Sequence, residues 1–224
     1  KKLIEGAHYI DYNLFGTATG RLSTYPGSFP MLTLQRGLRK LIKPHNDWFI
    51  SLDYNGAELR TLMALSGQEQ PTDDIHEWNM KNIFELSLTR EEAKTTIFSW
   101  LYNPDSTRIT TDIYNRDSLL KEYYSDGYIT TPFGRHLPVD PRRAFNYLIQ
   151  STTADIVLDR AVAIDKALEG TNSWVSHIVH DEIVLDMTDE DRGLIPEIKK
   201  IFAGNSLDTF VVNLAAGQDY LDLK

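Results

Sequence analysis

The sequence predicts an α+β fold: an antiparallel sheet backed by helices, with a helical insertion between its strands. Three observations predict it. Residues 175–187 read V-S-H-I-V-H-D-E-I-V-L-D-M. Two short apolar, β-branched runs flank a charged centre there, the pattern of a tight strand–turn–strand. Residues 48–55, W-F-I-S-L-D-Y-N, give a second apolar run that ends on Asp53. Between and after these strands lie long stretches of helical periodicity. The hairpin lifts His180, Asp181 and Glu182 to its tip, and one charged tip is most often only a solvated turn. Two acidic strand ends are a stronger signal, so Asp53 and Asp181 mark the candidate site.

The 224 residues are enough for a full core in one or two domains. With 42% hydrophobic and 25% charged residues, the composition is that of an ordinary globular protein. No apolar run approaches ~20 residues, so no transmembrane helix and no membrane partner is expected. The opening residues lack a signal-peptide pattern. There is no cysteine, which excludes disulfides, thiolate metal sites and cysteine nucleophiles and is compatible with a reducing cytoplasm. A formal charge of −9 ordinarily argues against nucleic-acid binding. Its distribution matters more. Basic residues gather at Arg36, Arg39, Lys40 and Lys43, at Arg90 and Lys94, and at Arg135, Arg142 and Arg143, while the tail from Asp181 onward is largely acidic. The sequence opens on Lys1 rather than methionine, so a fragment or a processed piece is expected.

Along the chain, residues 1–25 are turn-rich and contain T-A-T-G-R-L-S, where Arg21 suits backbone or phosphate contact, a plain surface loop being the simpler alternative. Residues 26–30 form a loop, and the basic run 36–43 leads into the strand ending at Asp53. Residues 56–65 have helical periodicity, stopped by Gly67, which puts Glu58 about a turn beyond Asp53. The linker after it carries Asp73-Asp74-Ile75-His76. Residues 88–102 form a helix with a capping box from Thr89 to Glu92. On it Arg90, Lys94, Phe98 and Tyr102 recur every fourth residue, a stripe roughly 18 Å long. Two cations followed by two rings suit a nucleoside triphosphate; an amphipathic helix with two buried rings is the plainer alternative.

A further amphipathic helix is predicted over 112–126, broken by Gly127, and a strand–turn–strand over 128–137. Asp140-Pro141 opens a long helix to about residue 168, with Asp as N-cap and Pro at its first position. On one face stand Arg142, Asn146 and Gln150. Such donors can reach the N3 and O2 acceptors that every base pair shows in the minor groove. A helix over 190–202 and a strand with a tail over 209–222 complete the chain. There is no internal repeat, low-complexity tract or phosphate-binding Gly-rich loop.

Seven motifs in this order resemble the family A DNA polymerases, the bacterial DNA polymerase I and phage replicative group. They are T-G-R-L-S within 17–23, D-Y-N-G-A-E-L-R at 53–60, D-I-H at 74–76, R-x-x-x-K-x-x-x-F-x-x-x-Y at 90–102, F-G-R at 133–135, A-F-N-x-x-x-Q at 144–150 and V-H-D-E at 179–182. The ending G-Q-D-Y-L is similar to the family's C-terminus. The resemblance implies a palm with an antiparallel sheet and a helical fingers insertion. It implies that Asp53 and Asp181 hold two Mg²⁺ ions, with the backbone carbonyl of Tyr54, about 3.5–4 Å apart. Arg90, Lys94 and His76 would grip the triphosphate, with Lys94 placed to protonate the departing pyrophosphate. Phe98 would pack on the incoming sugar and Tyr102 near the templating position. Glu58 would be the steric gate favouring dNTPs. Arg21, Arg142, Asn146 and Gln150 would hold the primer–template DNA, with His180 near the primer end.

The departures from the family pattern are informative. Gly56 stands where many bacterial members carry Gln, a change shared with phage-type members, and Asn103 replaces the usual Gly after the helix tyrosine. Residues 28–34 lack the usual Pro-Asn-Leu-Gln pattern, and the stretches around 90–102 look short, as in trimmed fingers. The implied division is palm at 1–55, fingers at 56–130 and palm again at 131–224. No thumb or 3′–5′ exonuclease corresponds to any stretch, so either a longer chain or a second polypeptide is expected to supply them. The expected activity is template-directed DNA synthesis in the cytoplasm of a bacterium or a phage-infected host. The rival reading is a non-catalytic DNA-binding or assembly subunit derived from a polymerase. A single-subunit RNA polymerase is disfavoured by Glu58, and a two-metal phosphohydrolase would not need the triphosphate stripe.

Overall fold

A computed structural model of the chain describes residues 9–106, 109 and 111–223; the start of the turn-rich opening stretch lies outside them. In chain order the elements begin with the short strands β1 (Tyr12–Asn13) and β2 (Ser23–Thr24) and strand β3 (Trp48–Tyr54). Helices α1 (Ala57–Leu65), α2 (Ile75–Asn82), α3 (Arg90–Tyr102) and α4 (Arg116–Tyr123) follow. Next are strands β4 (Tyr124–Ser125), β5 (Tyr128–Thr130) and β6 (His136–Pro138) and the 27-residue helix α5 (Pro141–Ala167). Hairpin strands β7 (Trp174–Val179) and β8 (Glu182–Met187), helix α6 (Ile195–Ala203) and strand β9 (Val212–Gly217) end the chain. The fold is α+β with antiparallel sheets, as the sequence predicts.

The chain divides into two compact units. The first comprises the described residues up to Tyr54, Ala154–Asn205 and the described residues from Val212 on. Its sheet has the order β7-β8-β3-β9, every pair antiparallel. The pairing register puts Trp48 opposite Met187 and Asp53 opposite Glu182 and Asn213. All six residues of β8 are buried, so its two acids need partners. Asp186 accepts the backbone N–H groups of His45 (2.6 Å) and Asn46 (2.8 Å), which ties the approach to β3 onto the sheet. Met31, Leu34, Phe49, Val179, Val184, Tyr220 and Leu223 form an apolar cluster here. Helix α6 is anchored to the sheet where the Tyr54 ring stacks on Phe202 at 4.0 Å and its hydroxyl donates to the Phe202 carbonyl.

The second unit comprises the described residues of Asn55–Thr153 together with Ser206–Val211. Leu59, Leu62, Met63, Ile75, Ile97, Trp100, Leu101, Phe145, Leu148 and Ile149 make its core. The Thr89–Glu92 capping box starts α3, with both reciprocal bonds present. The helix expected over 112–126 is shorter, because the Asn115 side chain caps it from the Ser118 N–H. At the other end Asp126 (φ 52°) and Gly127 (φ 83°) turn the chain into the β4–β5 hairpin, a two-residue turn that Asp-Gly favours. The helix expected over 190–202 opens as a 3₁₀ turn at Glu190–Leu194 and becomes α-helical at Ile195, where Pro sits in the first turn. Glu182, placed by its sequence at the hairpin tip, is instead the first residue of β8 and 1% exposed.

Candidate active site

In the first unit, Asp53 and Asp181 come to the same end of adjacent strands. Asp53 is the penultimate residue of β3 and pairs with Glu182; Asp181 directly precedes Glu182 in the turn. Both carboxylates are half-buried, and the Tyr54 side chain points away to Phe202. The turn has two residues, His180 and Asp181, and His180 is exposed at φ 59°. Two carboxylates and a backbone carbonyl are hard oxygen donors. Magnesium is commonly held by one or two carboxylates, with waters and substrate phosphates filling the shell. Among the described residues no group of three or more His, Cys, Asp or Glu that could hold a metal ion is found; the two carboxylates are of the donor type that Mg²⁺ takes. Arg21, half-buried between β1 and β2, also belongs to this unit.

In the second unit the stripe on α3 is formed and partly engaged. The Phe98 and Tyr102 rings stack at 6.1 Å, and His76 leans on Phe98 at 6.0 Å. The Tyr102 hydroxyl donates to Glu58 at 2.5 Å, although Glu58 itself is 6% exposed. Arg90 donates through Nε and Nη2 to the two oxygens of Asp74, at 3.1 and 2.8 Å, and through Nη1 to Glu91. These partners raise the Arg90 guanidinium above its ordinary pKa, chiefly the Asp74 hydrogen bonds. Asp74 also caps α2 from the His76 and Glu77 N–H groups and accepts from Asn55 Nδ2. Burial alone would raise Asp74, but the bonds from Arg90, Asn55 and Glu77 N–H hold it well below the usual carboxylate range. His76 is pushed down to about 4 by burial, with Lys94 and Arg90 adding to it against the pull of Asp74. It is therefore a neutral imidazole at pH 7, and its Nδ1 has no hydrogen-bond partner among the described residues. Lys94 is half-buried on the same helix face.

The frame around Asp74 went unread in the sequence. Arg60 is fully buried, and its guanidinium donates to the carbonyls of Asn55, Pro71 and Asp73 at 2.7–2.8 Å and to Asn55 Oδ1. Burial lowers its pKa to about 10. Asn55 Oδ1 also takes the Ile75 N–H at 2.8 Å. These bonds draw the start of α2 onto Gly56, which has φ 70° and where a Cβ would lie 2.4 Å from Ile75 Cγ2. A larger side chain cannot stand there in this arrangement. At the far end of α3, Arg116 stacks over Trp100 (4.5 Å) and Phe145 (5.0 Å) and donates to the carbonyls of Trp100 and Pro104.

A cleft of 580 Å³ is lined by Tyr102, Pro104, Asp140, Arg142, Arg143, Asn146 and Tyr147. Arg142 is exposed and paired with Asp105. The Asn146 Nδ2 has no acceptor among the described residues, and Gln150 is half-buried one turn further along α5. Unlike the carboxylate pair, these donors lie in the second unit.

No family model matches the chain. It is 27% identical to the thermostable DNA polymerase I of Thermus filiformis and 26% identical to that of Thermus aquaticus, in each case over 98% of this chain and 33% of the relative. It is 30% identical to the DNA polymerase of Mycobacterium phage D29, over 62% of this chain and 29% of that protein. The chain thus spans about a third of the length of the curated relatives it matches. Among solved structures, the POL domain of Pol1 from M. smegmatis, in complex with DNA primer-template and dNTP, superposes with a TM-score of 0.75. That match has 19% identity over 95% of this chain and 48% of that chain. The chain is thus similar in sequence, along nearly its whole length, to bacterial DNA polymerase I and similar in fold to a Pol1 polymerase domain.

Proposed function

We propose that this chain carries out template-directed addition of dNTPs to a primer 3′ end, by nucleotidyl transfer with two Mg²⁺ ions. The observation that carries the reading is the placement of Asp53 and Asp181 at one end of adjacent antiparallel strands. Bound there, the ions supply a lowered pKa at the primer hydroxyl and charge neutralisation at the leaving pyrophosphate. Asp53, Asp181 and the Tyr54 carbonyl are the residues that hold them. Arg90 and Lys94 bind the triphosphate, and Lys94 hands a proton to the pyrophosphate oxygen as it leaves. His76, a neutral imidazole, orients a phosphate oxygen by hydrogen bonding. Phe98 packs on the sugar and Tyr102 sits beside the templating base.

Glu58, bonded by the Tyr102 hydroxyl, acts as the gate against a ribose 2′-hydroxyl, so dNTPs are preferred. Arg21, Arg142, Asn146, Gln150 and His180 contact the primer–template, the side-chain amides being donors of the kind that minor-groove acceptors take. In this reading residues 1–55 and 131–224 are palm and residues 56–130 fingers. A thumb comes from further chain or from a second polypeptide, and the site of action is the cytoplasm of a bacterial or phage-infected cell. Among the described residues no helix is long and apolar enough to cross a membrane.

The test is Mg²⁺-dependent primer extension, with Asp181→Ala as control. Template-dependent dNTP addition lost in Asp181→Ala is the expected result. DNA binding without extension, at high protein and DNA and with native-host proteins added back, would favour the non-catalytic DNA-binding subunit instead.

A further inference from the structure

The hairpin that carries Asp181 holds a strained turn, and two remote segments pin it. His180 has φ 59°. For a residue other than glycine this conformation is uncommon and persists only where the surroundings over-determine it. On the β7 limb, the Tyr12 hydroxyl accepts the Ile178 N–H at 2.9 Å and donates to the Ile178 carbonyl at 2.7 Å. On the β8 limb, the first residue is Glu182, 1% exposed. A buried carboxylate is costly unless both oxygens are satisfied. Ser51 Oγ donates to Oε1 at 2.6 Å and the Tyr220 hydroxyl donates to Oε2 at 3.0 Å.

Tyr220 is itself rigidly held. Its ring is fully buried, lies beneath the Arg39 guanidinium at 4.8 Å and meets His177 edge-on at 4.9 Å. Its backbone N–H donates to the Ile42 carbonyl at 3.0 Å. The carboxylate next to Asp181 is therefore fixed from below by β3 and from the side by the segment after β9.

We propose that Ser51 and Tyr220 are positioning residues that set the place of Asp181 through the buried carboxylate of Glu182. In this arrangement Glu182 faces inward and acts on the metal site through the backbone of the turn. The inference rests on the polymerase reading for what Asp181 binds.

Mn²⁺ binding, followed by electron paramagnetic resonance with Asp181→Ala as background, tests it without requiring turnover. Tyr220→Phe removes one hydroxyl and keeps the ring; Ser51→Ala removes the other donor and leaves almost no cavity. Each is expected to weaken Mn²⁺ binding about tenfold, the scale of outer-shell partners. Primer extension by either variant should lose kcat with little change in KM for dNTP. Lys43→Ala breaks the Lys43–Asp219 ion pair, 3.0 Å, on the same terminal segment and should leave Mn²⁺ binding at the wild-type level.

Wild-type Mn²⁺ affinity in both Tyr220→Phe and Ser51→Ala would overturn the inference, whatever happens to their unfolding temperatures, and would leave the polymerase reading standing. A wild-type chain that binds Mn²⁺ no better than Asp181→Ala would sink the metal reading, and this inference with it.

Discussion

The carboxylate of Asp74 grips the Arg90 guanidinium with two nearly parallel hydrogen bonds, 3.1 and 2.8 Å. The same carboxylate caps α2 and accepts from Asn55. One side chain thus ties the start of α2 to the first residue of α3 and occupies the donors that a phosphate would otherwise take. A bidentate carboxylate and a phosphate compete for the same guanidinium fork.

Asp74→Asn keeps the cap, since Asn caps a helix as well as Asp, but removes the charge that competes for Arg90. The KM for dNTP is expected to fall roughly threefold, because a partly exposed pair is worth less than about 1 kcal/mol. Asp74→Ala loses the cap as well and should cost about 1 kcal/mol of stability. Steady-state kinetics and thermal unfolding of the two variants separate the effects, and a raised KM in Asp74→Asn would contradict the competition.

His76 gives the second unit a dependence on acid. Its folded-state pKa of about 4 lies below the ordinary histidine value of 6.5. The unfolded chain therefore takes up a proton below about pH 6.5 that the folded chain refuses until about pH 4. Stability falls across that window and is intact above it. Wild type should lose on the order of 1–3 kcal/mol between pH 7 and 4.5 relative to His76→Gln. Urea unfolding of both proteins at several pH values measures the difference.

Gly56→Ala places a methyl 2.4 Å from Ile75 Cγ2 on a backbone at φ 70°. Strain and clash together should cost about 2 kcal/mol. The double variant Gly56→Ala with Ile75→Leu should recover part of it, since Leu lacks the β-branch methyl that the new group meets. Unfolding midpoints of the single and double variants report the coupling.

Arg116→Ala removes two ring contacts and the donors to carbonyls at the end of α3. A loss of about 2–3 kcal/mol is expected. Arg116→Lys should not restore it, because an ammonium lacks both the guanidinium's planar face toward the rings and its fork of donors to the carbonyls. Calorimetric unfolding of both variants checks this.

Local signals in the sequence were the most legible. The short apolar, β-branched runs placed β3 and the β7–β8 hairpin, Asp140-Pro141 placed the start of α5, and T-x-x-E placed the start of α3. The stripe through Phe98 and Tyr102 followed from helical spacing. Partnerships between distant residues were not legible. Nothing near Arg90 says that Asp74, sixteen positions earlier, will hold it; that depends on Asn55 and Arg60 drawing in α2. Glu182 read as a tip residue because hairpin patterns do not show which of two adjacent acids turns inward. Ser51 and Tyr220 decide that, and they lie more than a hundred and nearly forty positions away.

Strand β3 sits between β8 and β9, and both partners lie more than a hundred residues downstream. During synthesis at about 5–20 residues per second, W-F-I-S-L emerges with both hydrogen-bonding edges bare for roughly ten seconds. In that interval most of the second unit, residues 55–153, is made and can begin to fold. The strand that carries Asp53 therefore waits on the ribosome as an apolar, unpaired template, the kind of segment that pairs with other chains. Newly made protein should depend on a holding chaperone until β9 arrives, and permuting the chain to bring β9 next to β3 should relieve that dependence.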